Sequence, residues 1–427
     1  MTAPGRAGGA ALARRAAHGA QVVGRIYGQR AVVFYWGFIR DDVFSRLAWP
    51  SSRTDPYPLY ERLRAQGPLV PTRLGNYVST SYPVCKEVLR SRSFGTVPVD
   101  GSEDLVHQEG LDLSLLVLNP PDHTRIRRLA APAFTPRQMA GYAGTVDRVI
   151  TELLDRAERQ GEFDLMSTFA APLPIAVMTQ LLGLPNDSER FRRLGAIIGQ
   201  ALDGVWSIRQ ARTLTAADAE LRTMFDELLI ERAAEPGGDL VSALVAEQGE
   251  TLSGDELAAL VRLLLIAGFE TTVNAIGNGM RWLLEDPVQW QTLVDDPTRA
   301  AQVAEEVLRF DPPVQQTGRV AHTEIEVGGV TMRRNQWVLT LLAAANRDPD
   351  VYPDPNRFDI HREAPAEHLA FSGGIHYCLG SPLARMELTR AFQGLAERFP
   401  RMRRNGPIVM RAGRTLRGPR QFPVAIR

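Results

Sequence analysis

One cysteine in a glycine-rich turn is the residue of this sequence best suited to do chemistry. Cys378 lies in the segment FSGGIHYCLG, and an apolar run compatible with a helix, LGSPLARMEL, follows it. A thiolate is a soft, strongly donating ligand, and on haem iron it favours cleavage of the O–O bond. The N–H groups at the start of the following helix would stabilise negative charge on the sulfur. The segment therefore makes Cys378 a candidate thiolate ligand.

The spacing of this segment carries a family resemblance. Glycines at positions 373, 374 and 380 would let a flat macrocycle lie against the backbone. The pattern F-x-x-G-x-x-x-C-x-G, from Phe371 to Gly380, resembles the haem-binding loop of the cytochrome P450 family at every fixed position. The resemblance implies a mainly α fold with small β-sheets, and non-covalent heme b with Cys378 as the axial ligand. It predicts a P450 domain over residues 51–427, preceded by an arm, residues 1–50, that is partly disordered or packed on the body.

A polar interruption in an apolar helical pattern is the second candidate site. Residues Ala267 to Thr272 read AGFETT, and a glycine, an acid and two threonines lower helix propensity there. Such local inconsistency is expected at functional sites, although a buried helix with satisfied polar groups is the alternative. The run resembles the P450 acid–alcohol motif. The resemblance implies that Thr271 hydrogen-bonds dioxygen and Glu270 relays protons, with Ala267 and Gly268 leaving room over the ring.

Two further motifs resemble parts of the P450 scaffold. Glu306 and Arg309 in EEVLRFDPP are three residues apart and share a helix face, a spacing also common in solvated pairs. Their position resembles the family's E-x-x-R motif, which implies an ion network with an arginine of the later coil, Arg357. The basic residues that match the family's haem-propionate contacts are His123, Arg127, Arg319 and His376.

Composition excludes some classes of protein. The formal net charge is zero, with 49 basic and 49 acidic residues, which argues against a nucleic-acid binder that relies on a global positive field. The second cysteine, Cys85, lies in a short helical pattern and is interpreted as structural. Because pairing the two cysteines would consume the proposed ligand, a reducing cytoplasm is the expected setting.

The N-terminal apolar run, residues 31–39, is too short for a membrane-spanning helix, which needs about 20 apolar residues. An arm packed on the body is favoured over contact with a membrane surface, and no transmembrane segment is expected.

Periodicity predicts mainly helices. Alternating apolar patterns predict short strands near 69–80 and 324–342, with a hairpin at Gly328–Gly329. The segment NRDPDVYPDPNRFDI, rich in Pro, Asp and Asn, predicts an ordered coil. The helical patterns cover residues 55–67, 137–160, 211–234, 254–285 and 298–310.

The resemblance implies a monooxygenase that inserts one oxygen atom of O2 by hydroxylation or epoxidation. The sequence has no GxGxxG after a strand and too few cysteines for an iron–sulfur cluster, so electrons are expected from a separate ferredoxin and ferredoxin reductase. Arg128 and Arg385 are candidates for the docking face, and a monomer is expected. The alternatives are a peroxygenase that uses H2O2 directly and a haem protein that binds a ligand without oxidising it.

The substrate pocket is predicted only by family position. It would be formed by the stretches 95–117, 170–210, 264–271 and 314–318 and the turn near 416, which are mainly aliphatic and suit a sizeable apolar molecule. A secondary metabolite such as a polyketide macrolide is favoured, and steroid, terpenoid and fatty acid stay open. The residues named for contact are Leu264, Ala267, Val314 and Leu416.

Overall fold

Helices dominate the part of the chain that the computed structural model describes, which comprises residues 24, 26–49, 54–73, 75–100, 114–184, 187–203, 205–249 and 251–427. Residues 26–39 are helical and end in a π-helical segment, Tyr35–Ile39. The α-helices that follow in chain order are α1 (Val43–Ala48), α2 (Tyr57–Arg64), α3 (Tyr82–Arg90), α4 (Asp122–Ala130), α5 (Pro136–Gln160), α6 (Pro172–Leu182), α7 (Ser188–Ala201), α8 (Ile208–Ala234), α9 (Leu240–Val245), α10 (Gly254–Glu285), α11 (Pro287–Asp295), α12 (Ala300–Phe310), α13 (Leu342–Ala345) and α14 (Ser381–Arg398).

Short strands form a five-stranded sheet, a three-stranded sheet and two separate strand pairs. The five-stranded sheet has the order β1-β2-β8-β5-β3, and only its β2–β8 pair is parallel. The three-stranded sheet has the order β4-β12-β9, and the pairs are β6-β7 and β10-β11. The strands are β1 (Val70–Pro71), β2 (Tyr77–Ser79), β3 (Phe94–Gly95), β4 (Glu162–Asp164), β5 (Thr317–Ala321), β6 (Ile325–Val327), β7 (Val330–Met332), β8 (Trp337–Thr340), β9 (Arg403–Arg404), β10 (Val409–Met410), β11 (Pro419–Gln421) and β12 (Pro423–Ala425).

The long helix α10 runs through the main hydrophobic core. It starts with a capping box, in which the Ser253 hydroxyl accepts from the Glu256 amide and the Glu256 carboxylate accepts from the Ser253 amide. Helices α6, α7, α8 and α14 pack around it, so its apolar residues are buried on most sides. Among the described residues it is the one helix long and apolar enough to cross a membrane, but 78% of that apolar window is buried inside the protein.

The segment before residue 50 is partly integrated into the body. Val43, Phe44 and Leu47 of α1 are buried in one cluster with Tyr60 and Leu63 of α2. The Asp42 carboxylate caps α1 by accepting a hydrogen bond from the Ser45 amide at 2.8 Å. The proposed arm therefore includes a helix that belongs to the packed core, while the arm's residues 1–23 lie outside the described part of the chain.

The predicted fold class is confirmed, and several predicted elements match closely. Helix α10 has the predicted bounds, and Gly328–Gly329 connect β6 to β7, where Val327 pairs with Val330. Residues 346–360 form neither helix nor strand, as the Pro-rich pattern indicated.

Candidate functional site

The loop before α14 holds the cysteine in a fixed turn. The Cys378 amide donates to the Phe371 carbonyl oxygen at 2.9 Å, and residues 374–376 form a 3-10 turn inside this loop. Cys378 is exposed in the structure. Desolvation by nearby protein atoms raises the pKa of the Cys378 thiol, while the Gly380 amide, the Arg127 guanidinium and the Ser381 amide lower it. The start of α14 thus stabilises a thiolate.

Two of the loop glycines lie where a side chain would collide with a neighbouring element. A Cβ atom at Gly374 would lie 2.4 Å from the Leu89 carbonyl oxygen, and this residue also has a φ of +63°. A Cβ at Gly373 would lie 3.2 Å from the Leu89 side chain. Both glycines are therefore needed where the loop approaches the end of α3, and their contact with a macrocycle stays a prediction. A Cβ at Gly380 would lie 3.9 Å from the nearest atom of the Phe134 ring, so there is space for a side chain at this position.

Aromatic contacts support the same loop. The Phe371 ring is buried, with the Arg385 guanidinium 4.6 Å from its centroid. Arg385 also donates to the Glu305 carboxylate at 2.6 Å and to the Tyr377 hydroxyl at 3.2 Å. Of the two arginines expected on a docking face, Arg385 is thus engaged within the protein, whereas Arg128 is exposed.

Four basic side chains converge beside the cysteine loop, and we call them the basic cluster: His123, Arg127, Arg319 and His376. The two imidazole rings lie 4.3 Å apart between centroids. Arg127 donates to the Tyr377 carbonyl oxygen at 2.6 Å, and Arg319 donates to the Ser372 hydroxyl at 3.1 Å. The structure therefore brings together residues predicted from three distant parts of the sequence.

The charges of the basic cluster are not balanced by acids. Within the described part of the chain, neither arginine forms an ion pair with a carboxylate. Burial lowers the pKa of Arg319 to about 10. Burial, helped by Arg127 and then Arg319, lowers the pKa of His123 to about 4. Burial, followed by Arg319, lowers the pKa of His376 to about 3.

The basic cluster has unused donors that suit two carboxylates. Both His123 ring nitrogens and the His376 Nε2 atom are buried with no hydrogen-bonding partner among the described residues. Buried polar atoms without partners are uncommon in proteins and indicate a missing ligand group. Neutral imidazoles and charged guanidinium groups are the donors that haem propionates require. The residues present therefore fit haem, with Cys378 as the sulfur ligand of its iron.

Helix α10 presents the acid–alcohol residues in its middle. The Thr271 hydroxyl donates to the Ala267 carbonyl oxygen one turn earlier at 3.0 Å, and Ala267 is exposed within an otherwise buried helix. A Cβ at Gly268 would lie 2.6 Å from the Met178 sulfur. Gly268 is thus required by close packing of α10 on α6, and its place over the ring stays a prediction.

Glu270 is buried and paired with an arginine that the sequence did not indicate. Its carboxylate accepts a short hydrogen bond from Arg411, which lies just after β10. Burial raises the pKa of Glu270, and the Arg411 charge opposes this effect. The Glu270 side chain also lies against Gly195 and Gly199 of α7. No local pattern could indicate Arg411, because its segment reaches α10 only through the tertiary fold.

The E-x-x-R residues form a buried ion network, with one correction. Arg309 donates to both Glu306 oxygens, at 2.7 and 2.8 Å, and also to the Arg357 carbonyl oxygen at 3.1 Å. The third member of the network is Arg362, whose Nε lies 3.3 Å from Glu306. Arg357 is exposed and contributes its backbone, so the prediction of its side chain in the network is wrong. Both arginines lie in one irregular coil, which offers no periodicity to distinguish them.

The predicted substrate contacts lie near one another through α7, α10 and the C-terminal turn. Val314 and Leu416 form an isolated antiparallel bridge, and a Cβ at Gly199 would be 3.1 Å from Leu416. Leu264 is buried one turn before Ala267. Much of the predicted stretch 95–117, namely residues 101–113, lies outside the described residues.

A second buried acid near this region was missed from the sequence. Glu387 of α14 is fully buried, and its oxygens have no well-formed hydrogen bond among the described residues. Burial raises its pKa to about 8, and the nearby Thr272 hydroxyl slightly opposes this. The signal was available, because Glu387 occupies the same helix face as Leu383 and Ala391, which are both buried.

Comparison with known proteins agrees with this geometry. The model of the Cytochrome P450 family matches residues 299–401. Cytochrome P450 140 of Mycobacterium tuberculosis is 39% identical over 414 residues, covering 91% of this chain and 93% of that protein. The 6-deoxyerythronolide B hydroxylase of Saccharopolyspora erythraea is 34% identical, with 88% and 97% covered.

Solved structures give the same result. Ligand-free CYP164A2 of Mycobacterium smegmatis superposes with a TM-score of 0.82 at 39% identity, over 90% of this chain and 99% of that one. CYP109E1 of Bacillus megaterium, solved with testosterone, has a TM-score of 0.80 at 30% identity, with 88% and 99% covered. The chain therefore belongs to the cytochrome P450 family of haem-thiolate oxygenases.

Proposed function

We propose that this chain is a monooxygenase that uses heme b to insert one oxygen atom of O2 into a sizeable apolar molecule. The observation that carries the proposal is the basic cluster beside Cys378, whose buried donors lack acidic partners among the described residues. When bound, haem supplies oxygen activation, and the thiolate ligand favours O–O cleavage. Electrons would come from a ferredoxin and its reductase.

Each part of the site has a role in this proposal. Cys378 would be the iron ligand, stabilised by the amides at the start of α14. The basic cluster would bind the two propionates through neutral imidazole and charged guanidinium donors. The network of Glu306, Arg309 and Arg362 holds the coil that leads to the cysteine loop against α12.

Thr271 and Glu270 would deliver protons. The Thr271 hydroxyl holds its proton in the bond to the Ala267 carbonyl oxygen and can exchange it with a partner on the exposed side of α10. Burial raises the pKa of Glu270, which favours a carboxyl group that can hold a proton before it passes the proton on. Arg411 holds the carboxylate in position behind the threonine.

The substrate is proposed to be a secondary metabolite such as a polyketide macrolide. The side chains named for contact are aliphatic, so they favour an apolar molecule. One relative is named as a hydroxylase of 6-deoxyerythronolide B, and some relatives belong to macrolide and other secondary metabolism. Another structure contains testosterone, so steroids belong in the same test.

The test combines a ligand screen with reconstitution. Macrolides, steroids, terpenoids and fatty acids are first screened for the low-spin to high-spin change of the ferric protein. The best ligand is then incubated with the holoprotein, a surrogate ferredoxin, its reductase and NADPH, and we expect an oxygenated product. Product formed only with H2O2 would indicate a peroxygenase instead. Tight binding without product under either condition would indicate a ligand-binding haem protein.

A further inference from the structure

The helix at residues 26–39 has two apolar faces, and the described residues cover only one of them. Ile26, Val33 and Gly37 are buried on the body. The opposite side, which we call the aromatic face, keeps between 38% and 64% of each large side chain exposed. Its members are Tyr27, Val32, Phe34, Tyr35, Phe38 and Ile39.

The aromatic face is held firmly by the body rather than carried on a loose tail. Gly37 lies so close to α1 that a Cβ there would be 2.8 Å from the Arg46 amide nitrogen. Arg30 donates to the Trp206 carbonyl oxygen at 3.1 Å, and Trp49 packs edge-on against Trp206. The exposed side chains therefore form a fixed surface.

The sequence of the N-terminal segment that contains this helix is strongly basic. The first 40 residues contain six arginines and no acid, so the other residues contain 43 basic and 49 acidic side chains. The nearest acid in the sequence, Asp41, pairs with Arg46 at 2.8 Å and with Arg62 at 2.9 Å. Asp42 caps α1. Neither acid is thus free to offset the arginines of the N-terminal segment.

We infer that the aromatic face binds the surface of an anionic lipid bilayer. A helix with exposed aromatic and aliphatic residues, flanked by arginines, is the pattern of an interfacial helix that inserts its apolar face among acidic lipid headgroups. Aromatic rings are favoured at this depth because they are apolar with polar edges.

Two other occupants fit less well. A second copy of the chain would bring one set of arginines against another, which is repulsive in a symmetric interface. Residues 1–23 contain no aromatic residue, and their larger apolar side chains are Met1, Leu12, Val22 and Val23. That composition is poorly suited to cover a row of aromatic rings.

Flotation of the purified full-length holoprotein with lipid vesicles tests the inference. We expect the protein to float with vesicles of phosphatidylcholine and phosphatidylglycerol, to float weakly with phosphatidylcholine alone, and to be released by salt. Ile39→Glu should weaken partitioning by about tenfold or more, since it removes an isoleucine that would insert into the bilayer and adds a negative charge that the anionic lipids repel. Ile230→Glu is the matched control, because Ile230 is equally apolar and 73% exposed on α8.

A second pair of variants separates charge from apolar contact. Arg14→Gln with Arg15→Gln should weaken binding to the anionic vesicles. The control, Arg401→Gln with Arg403→Gln, makes the same change in net charge near the other end of the sequence and should leave vesicle binding unchanged. The reduced-CO spectrum verifies folding of every variant.

Three outcomes would overturn the inference. The first is no flotation of the parent with anionic vesicles, and the second is equal loss from Ile39→Glu and Ile230→Glu. The third is a parent dimer that Ile39→Glu dissociates without any vesicle binding, which would assign the face to a second copy.

Discussion

The hydroxyl group of Thr271 can be tested separately from the fold, since it bonds to its own helix at the Ala267 carbonyl oxygen. Thr271→Ala should bind haem and substrate but lower product per NADPH by about tenfold or more, because proton delivery loses its donor. The missing reducing equivalents should appear as hydrogen peroxide. Thr271→Ser is the matched control, since it keeps the hydroxyl. Equal coupling in parent and Thr271→Ala would remove this residue from proton delivery.

Glu387 makes a prediction about stability and pH. Its pKa rises from 4.5 to about 8 on folding, so between these values the folded state holds a proton that the unfolded state releases. This contribution to the free energy of unfolding is complete below about pH 4.5 and is lost as pH rises to about 8. Each pKa unit corresponds to about 1.4 kcal/mol, so the loss amounts to several kcal/mol.

Urea unfolding of Glu387→Gln between pH 5 and pH 9 measures this effect. The variant should gain stability relative to the parent as pH rises, because glutamine cannot ionise. Glu397→Gln, an exposed change on the same helix, should show no such trend. A constant difference between parent and Glu387→Gln across this range would show that burial of Glu387 does not perturb its titration.

At the scale of elements, the coil after α13 depends on the buried Glu306–Arg309 pair. Arg362→Ala removes one cation from Glu306, and Glu306→Ala leaves Arg309 buried without its acid. We expect a loss of stability of about 3–5 kcal/mol for Glu306→Ala and a smaller loss for Arg362→Ala, with poor haem incorporation in both. Arg357→Ala should be close to neutral, since its side chain is exposed.

Haem content and the reduced-CO spectrum measure these effects. A normal spectrum from Glu306→Ala would contradict the network's role in holding the loop. A larger defect in Arg357→Ala than in Arg362→Ala would restore the original sequence prediction.

The elements show what the sequence could predict. Helix α10 was predicted to the residue and α5 to within one residue, because an apolar helical pattern is a local property. Contacts made by irregular segments were not: the pairing of Arg362 with Glu306 and of Arg411 with Glu270 depends on the path of coils through space. Glycines were similarly ambiguous, because Gly268 and Gly374 are identical in sequence terms whether they face a ligand or a neighbouring helix.

At the scale of the whole molecule, haem binding and folding should be linked through the basic cluster. Arg319 is buried in β5 without an acidic partner among the described residues, so its charge costs free energy until the propionates neutralise it. Arg319→Met should leave the apoprotein as stable as the parent or stabilise it by about 1–4 kcal/mol. The same change should increase the rate of haem loss, because it removes the charge that would bind a propionate and so lowers the affinity of the folded protein for haem.

Arg417→Met provides the contrast, because Arg417 is also buried but pairs with Asp311 at 2.9 Å. Its replacement leaves Asp311 buried without this partner, so we expect both apoprotein and holoprotein to lose about 3–5 kcal/mol. Urea unfolding of each form and haem transfer to apomyoglobin measure the two quantities. If Arg319→Met destabilised the apoprotein as much as Arg417→Met while haem loss stayed at the parent rate, the cluster would be a structural device rather than a haem-binding site. If Arg319→Met stabilises the apoprotein but weakens its hold on haem, the counter-charge that Arg319 lacks in the protein comes from the cofactor.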